Sequence, residues 1–297
     1  MADPLIAAVR RRLGAAAHIQ PLAASGFAAT VSVQRGAARF FVKVLPQAQG
    51  ERLRAEAEGL QALAATQTIR VPRVADCGDA EGYTLLALEW LDFAPPDARF
   101  GERFGAALAA LHAAPAPHAG YGWPRDNWLG GSRQEAGVSG GTGTRDWMAF
   151  WRERRLLALA RRLAHSRYAA LIEAAERAAD AMPALFADGH EPRPSLIHGD
   201  LWSGNWGMLA DGTPVIFDPA VSVSDAEAEL AMMELFGAPP AGFFAAYRRS
   251  GHLAAGYPQR RPVYQLYHLL NHVLLFGDAY ASAAQRCARE AARAAHA

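Results

Sequence analysis

The chain has 297 residues, 51% of them apolar, enough to bury the core of one large domain or two modest ones. Its formal charge is +1, with both signs spread along the chain, which argues against nucleic acid or an anionic membrane as the main partner. No apolar run is long enough to span a membrane and no secretion signal is visible, so a soluble cytoplasmic protein is expected. The two cysteines, Cys77 and Cys287, suggest neither a disulfide framework nor a zinc cluster.

Asp3 and Pro4 read as an N-cap with proline in the first turn, opening a helix to about residue 17. Strands are expected over 27–33 and 38–45, with Ser25 and Gly26 just before them. Residues 50–65 read as a helix carrying Leu53, Leu60 and Leu63 on one face. Strand-like runs follow at 68–76 and 83–90, and Pro95 and Pro96 mark a linker over 91–97. Beyond it the pattern is mostly helical, over 98–113, 145–164, 167–186, 225–236, 240–249 and 259–291. Arginine runs at 10–12, 154–155 and 161–162 read as solvated helix faces, and the Gly- and Ser-rich stretch 130–143 as a mobile loop. One island, 194–218, alternates like strands. The outline is α+β: a small β-rich lobe over 1–91 and a larger helical lobe over 92–297.

The island reads S-L-I-H-G-D-L-W-S-G-N-W-G-M-L-A-D-G-T-P-V-I-F-D-P. Asp211 and Gly212 are a strong two-residue hairpin signal. With that turn, 210 opposes 213, 208 opposes 215, and Asn205 falls opposite Asp218. Opposed Cα atoms lie only about 4.5–5.5 Å apart, so an amide oxygen and a carboxylate would converge. That pair suits Mg²⁺, a hard ion that prefers oxygen ligands and takes others from water and substrate phosphates. Asp200 lies five residues before Asn205, and the order Asp, Asn, Asp matches the base and two metal ligands of a kinase. The plain alternative is a surface hairpin with ordinary loop polars.

Of 30 basic residues only Lys43 is lysine. Where a solvated charge is enough, this chain uses arginine, so the lone lysine marks a place that needs a compact ammonium. Lys43 lies in the apolar run F-F-V-K-V, where an unpaired ammonium would be costly to bury. Among Glu51, Glu56 and Glu58, only Glu56 shares the apolar face of the 50–65 helix, at i+3 from Leu53 and i−4 from Leu60. A Lys43–Glu56 pair is what a kinase uses to hold the α- and β-phosphates of ATP, and the Ser25–Gly26 turn could cover them.

With these parts in place the chain resembles the fructosamine kinase (ketosamine-3-kinase) family, which has a protein-kinase-like fold related to aminoglycoside phosphotransferases. The resemblance rests on H-G-D-L-W-S-G-N at 198–205, V-I-F-D-P-A at 215–220, E-L-A-M-x-E-L-F-G at 229–237 and Y-Q-L-Y-H-L-L-N-H at 264–272. It implies ATP- and Mg²⁺-dependent phosphorylation of the 3-hydroxyl of ketosamines, the sugar adducts that glycation leaves on amines. Asp200 then resembles the proton acceptor, Asn205 and Asp218 the metal ligands, and Lys43 with Glu56 the nucleotide-anchoring pair. Glu89, Trp90 and Leu91 resemble the hinge that meets adenine. Trp202 is expected either to face the sugar or to brace its loop, and His198 to brace the catalytic loop. His268 and His272, spaced i, i+4, lack a third metal ligand and read as helix-packing or substrate-lining residues. The chain departs from the family in its single-glycine loop at Gly26 and in V-S-V-S-D at 221–225. Rival readings are a kinase of aminoglycosides or choline-like alcohols, and a nucleotide-binding pseudokinase. A protein kinase is disfavoured, because Gly199 replaces the H-R-D arginine and only about seven residues separate Asp218 from the next helix.

Overall fold

A computed structural model of the chain describes residues 3–22, 27–139, 142–163, 167–249 and 253–294. Helix α1 (Asp3–Leu13) ends short of the expected residue 17. Gly14 turns the backbone left-handed (φ +107), and residues from His18 onward form an edge strand, β1 (His18–Pro21). β1 joins β2 (Ala29–Arg35), β3 (Ala38–Pro46), β4 (Val74–Ala80) and β5 (Tyr83–Glu89) in an antiparallel sheet of order β1-β2-β3-β5-β4. The strand expected at 68–76 starts late, at Val74, because Pro72 has no amide hydrogen to give a ladder.

The period of two in β3 sorts its side chains between two cores. Val42 and Val44 pack under α1 with Leu5, Val9 and Leu13. Leu45 faces the other way, against Leu53, Leu60 and Leu63 of α2 (Glu51–Ala65), and Lys43 shares that face by alternation. Burying one such leucine contributes about 1.5–3 kcal/mol, so the register of β3 is firmly set and Lys43 is carried inside with it.

The 91–97 connection contributes β6 (Phe93–Ala94). It is followed by α3 (Phe100–Ala113), the hairpin β7 (Asn127–Leu129) and β8 (Ser132–Gln134), and the short pair β9 (Val138–Ser139) and β10 (Thr142–Gly143). The mobile-loop expectation for 130–143 therefore fails over 130–134, and residues 140 and 141 lie outside the described residues. Gly130 and Gly131 make a two-residue turn, a composition that also favours hairpins, and Asn127, Leu129, Ser132 and Gln134 are buried.

The helix expected at 145–164 is α4 (Trp147–Trp151) running through a π-helical turn, Arg152–Leu157, into α5 (Ala158–Leu163). Arg155, within the π turn, is buried rather than solvated, donates to the Glu135 carbonyl and the Ser222 hydroxyl, and stacks on Phe150. Arg154, Arg161 and Arg162 are exposed as expected.

After α6 (Ala169–Asp180) and α7 (Met182–Leu185) come β11 (Ser195–Ile197), the hairpin β12 (Trp206–Leu209) and β13 (Pro214–Ile216), and β14 (Ser222–Ser224), which pairs with β11. β6 pairs with β12, so the connection is stitched into the hairpin that carries Asn205 and Asp218 at its open end. Helices α8 (Ala226–Leu235), α9 (Phe243–Arg248), α10 (Tyr257–Phe276) and α11 (Asp278–Ala294) complete the chain. The single helix expected at 259–291 is broken at Gly277 (φ +70), where α11 folds back on α10.

Candidate active site

A cleft of about 960 Å³ lies between the five-stranded sheet and the helical half. Lys43, Glu56, Glu89, Trp90, Leu91, Asp200, Trp202, Asn205, Asp218 and His272 all line it. His268 does not. It is buried in the core of α10 beside Tyr267, and burial with His272 nearby pushes its ring down to about 3. Gly26 lies outside the described residues.

Lys43 Nζ donates to Glu56 at 2.8 Å and lies 2.8 Å from Asp218 Oδ1. Burial acts to lower the lysine's pKa, but the two carboxylates outweigh it and hold the ammonium above its ordinary range. Sequence reasoning reached the Glu56 contact through the helix face. The second carboxylate it did not foresee.

Asp218 arrives by a different route from the one expected. The hairpin pairs Trp206 with Ile216, Gly207 with Val215 and Met208 with Pro214, which is one residue out of the expected register. Asp211 and Gly212 sit inside a three-residue loop: Leu209 N–H donates to the Thr213 carbonyl, and Gly212 takes φ +85. Asn205 therefore faces Phe217, whose N–H donates to the Asn205 carbonyl at 3.0 Å. Asp218 lies one step beyond, where a regular strand would aim it at the other face. Its left-handed backbone (φ +60) ends the strand and redirects the side chain to the cleft.

Asn205 Nδ2 donates to the Asp200 backbone carbonyl at 2.8 Å and reaches Asp200 Oδ2 at 3.4 Å. That fixes the amide and leaves its Oδ1 as the oxygen with no hydrogen bond among the described residues. Burial, followed by the charges of Asp218 and Glu229, raises the Asp200 carboxyl to about 7. Asn205 and Asp218 thus offer an amide oxygen and a carboxylate in one cleft, a donor set that fits Mg²⁺.

The loop holding Asp200 is pinned from behind by Glu229, which the sequence reading quoted within a motif but gave no role. Its carboxylate accepts from the His198 N–H at 2.6 Å and the Gly199 N–H at 2.8 Å. Burial alone would raise this carboxyl, but the bonds from His112 and His198 carry it below its ordinary range. His198 bridges Asp200 and Phe217: Nε2–H donates to the Phe217 carbonyl at 2.8 Å, and Nδ1 accepts from the Asp200 N–H at 3.3 Å. Gly199 has φ +83, and a Cβ there would meet the Ala220 carbonyl. An arginine at this position would not fit.

Over residues 89–91, the expected hinge, the Glu89 N–H donates to the Arg73 carbonyl and the Trp90 N–H to the Arg39 carbonyl. Arg39 also covers the Trp90 ring at 3.5 Å, and Arg70 pairs with Glu89. The Leu91 N–H makes no backbone hydrogen bond among the described residues.

A model of the family described as fructosamine kinase matches residues 4–293. The chain belongs to the fructosamine kinase family. A probable ketoamine kinase from Synechocystis is 42% identical over 261 residues, covering 87% of this chain and 84% of that protein. A crystal structure of a putative fructosamine-3-kinase from Thermobifida fusca superposes with a TM-score of 0.81 at 35% identity, covering 93% of each chain. An aminoglycoside phosphotransferase shares the fold alone, with a TM-score of 0.65 at 17% identity over 93% of each chain. The α+β, protein-kinase-like architecture expected from the motifs is therefore the fold of this fructosamine kinase family member. No helix among its described residues is long and apolar enough to cross a membrane.

Proposed function

We propose that the protein is an ATP- and Mg²⁺-dependent kinase that phosphorylates the 3-hydroxyl of ketosamines. The observation that carries this reading is Lys43 held between Glu56 and Asp218 in the same cleft as Asp200 and Asn205, within a fructosamine kinase family chain. The sheet and α1–α2 over 1–91 form the nucleotide lobe, and 92–297 the catalytic and substrate lobe. Leu91 offers the free hinge N–H to adenine, and Lys43 gives its charge to the phosphate oxygens.

Asp200 accepts the proton of the sugar hydroxyl as the phosphoryl group moves, a role supported by its place in the cleft beside Asn205 and Asp218. Asn205 and Asp218 would hold Mg²⁺, which when bound neutralises charge on the phosphate oxygens. His198 and Glu229 act only through the loop, keeping Asp200 aimed. Positioning and electrostatics supply the rate, since little covalent work falls to the protein.

Phosphate at C3 stands next to the ketone carbon. Enolisation toward C1 makes it an allylic leaving group; it departs as inorganic phosphate, and hydrolysis of the remaining adduct frees the amine. Repair of glycated amines, in the cytoplasm where ATP is at hand, is the implied role. ADP release with a panel of fructosamines, ribulosamines, aminoglycosides and choline tests the reading. Turnover confined to the ketosamines is the expected result, and turnover of only the other acceptors, or of none, contradicts it.

A further inference from the structure

The wall of the cleft formed by α8, α10 and α11 has no part in the phosphoryl-transfer chemistry above. It presents Met232, Phe236, Asn271, His272, Phe276 and Tyr280, with no charged side chain among its lining residues. The rings form one cluster: His272 lies 4.7 Å from Phe236, 4.8 Å from Tyr280 and 5.5 Å from Phe276, centroid to centroid. Phe276 is half-exposed at the solvent end.

Two hydrogen-bond acceptors are set into this apolar surface. Asn271 is 2% exposed, and its Nδ2 donates to the Leu129 carbonyl at 3.3 Å. That bond fixes the amide and leaves Oδ1 buried with no hydrogen-bond partner among the described residues. On the next residue, His272 Nδ1–H donates to the His268 carbonyl at 2.8 Å. Nε2 then carries the lone pair, and burial disfavours the charged ring by lowering its pKa. The wall thus offers two acceptors, several π faces and no charged group.

A ketosamine differs from every simple sugar in one group, the secondary ammonium at C1. That group is a cation with two N–H donors and no acceptor. Aromatic faces attract alkylammonium ions, and a buried acceptor left unpaired costs free energy that such a donor recovers. The charged residues lining the whole cleft, four carboxylates (Glu56, Glu89, Asp200, Asp218) against two cations (Lys43, Arg52), also favour a positive ligand.

We propose that Asn271 Oδ1 and His272 Nε2 accept the two N–H bonds of the ketosamine ammonium, while Phe236, Phe276 and Tyr280 pack on the carbon chain of the amine as it runs out to solvent. This subsite rests on the ketosamine-kinase reading and deepens it: it makes the amine, not only the sugar, a recognised part of the substrate.

The test compares 1-deoxy-1-propylaminofructose with 1-O-propylfructose, an ether of the same shape that lacks both N–H donors. The wild-type protein should prefer the amine in kcat/KM by about 10–100-fold, the range of hydrogen bonds to a charged group. Asn271→Leu should pull that ratio toward one by slowing the amine, with the ether held within a few-fold. Asn271→Asp, which keeps an acceptor and adds charge, should retain or raise the ratio, so the proposal stays testable if the leucine variant does not fold. Equal wild-type use of both compounds overturns the subsite alone, as does an equal loss for both compounds in Asn271→Leu. Wild-type turnover of neither compound overturns the kinase reading and the subsite together.

Discussion

Lys43 Nζ lies as close to Asp218 Oδ1 as to Glu56 Oε1, 2.8 Å in each case. One ammonium therefore ties the sheet both to α2 and to the strand end beyond β13. The contact with Asp218 matters because Asp218 is also a proposed metal ligand, so the lysine and the ion compete for, or share, one carboxylate. A planar guanidinium cannot take the place of a compact ammonium between two carboxylates that close.

Lys43→Arg is accordingly expected to keep the fold and lower kcat by about 100-fold, the order of loss that a misplacement of about 1 Å produces. Turnover and thermal stability, with and without Mg-ATP, provide the check. Retained activity would show that only the charge counts at this position.

Asp200→Asn removes the proton acceptor and keeps the loop shape, so kcat should fall by about 10²–10⁴-fold with ATP affinity nearly unchanged. In the wild-type protein without Mg²⁺, a direct carboxyl titration by NMR should give Asp200 near 7, with the base form lost as pH falls through that value. Excess Mg²⁺ should move the titration to lower pH, because a cation at Asp218 cancels a charge that raises it. A titration indifferent to Mg²⁺ would separate Asp200 from the metal site.

Asn205→Ala and Asp218→Ala should each raise the Mg²⁺ concentration needed for half-maximal rate. The two losses should not add, because both ligands act through one ion. A double-mutant cycle on Mg²⁺ dependence measures this, and additive effects would mean that they do not share an ion.

Away from the cleft, His190 Nε2 lies 2.9 Å from Asp225, beside Glu227, which is itself held by the buried Arg260. Burial lowers the His190 pKa, but Asp225 and Glu227 outweigh it and leave the ring above its ordinary value. A raised folded-state pKa contributes stability that is full below the unfolded value and is lost as pH rises through the folded value. Urea midpoints of the wild type should therefore fall, as pH rises above the ordinary histidine range, more steeply than those of His190→Gln. Parallel slopes would remove His190 from the pH dependence.

Much of this site was legible in the sequence wherever a local rule and a global one agreed. Lys43 stood out by composition, its place in an apolar run demanded a buried partner, and helical spacing chose Glu56. The hairpin register was misread because Asp-Gly serves both a two-residue turn and the end of a three-residue loop, and the cross-strand partners decide between them. Gly130 and Gly131 look like a flexible linker by composition, yet they form a tight turn because their neighbours are buried against the helices. Arg155 was read as solvated because it belongs to an arginine run, whereas within the π turn it is buried. Asn271 and Glu229 lay within the quoted motifs, but nothing local assigned either a role. Their importance comes from what lies opposite them in space.

The central claim is that phosphate goes to the 3-hydroxyl of a ketosamine. Phosphorus NMR of the reaction with a fructosamine and ATP tests it most directly. A new phosphate ester coupled to the proton on C3, followed by growth of inorganic phosphate and free amine as the product decomposes, is the expected result. An ester on another hydroxyl, or ADP formation with no sugar ester, would contradict it.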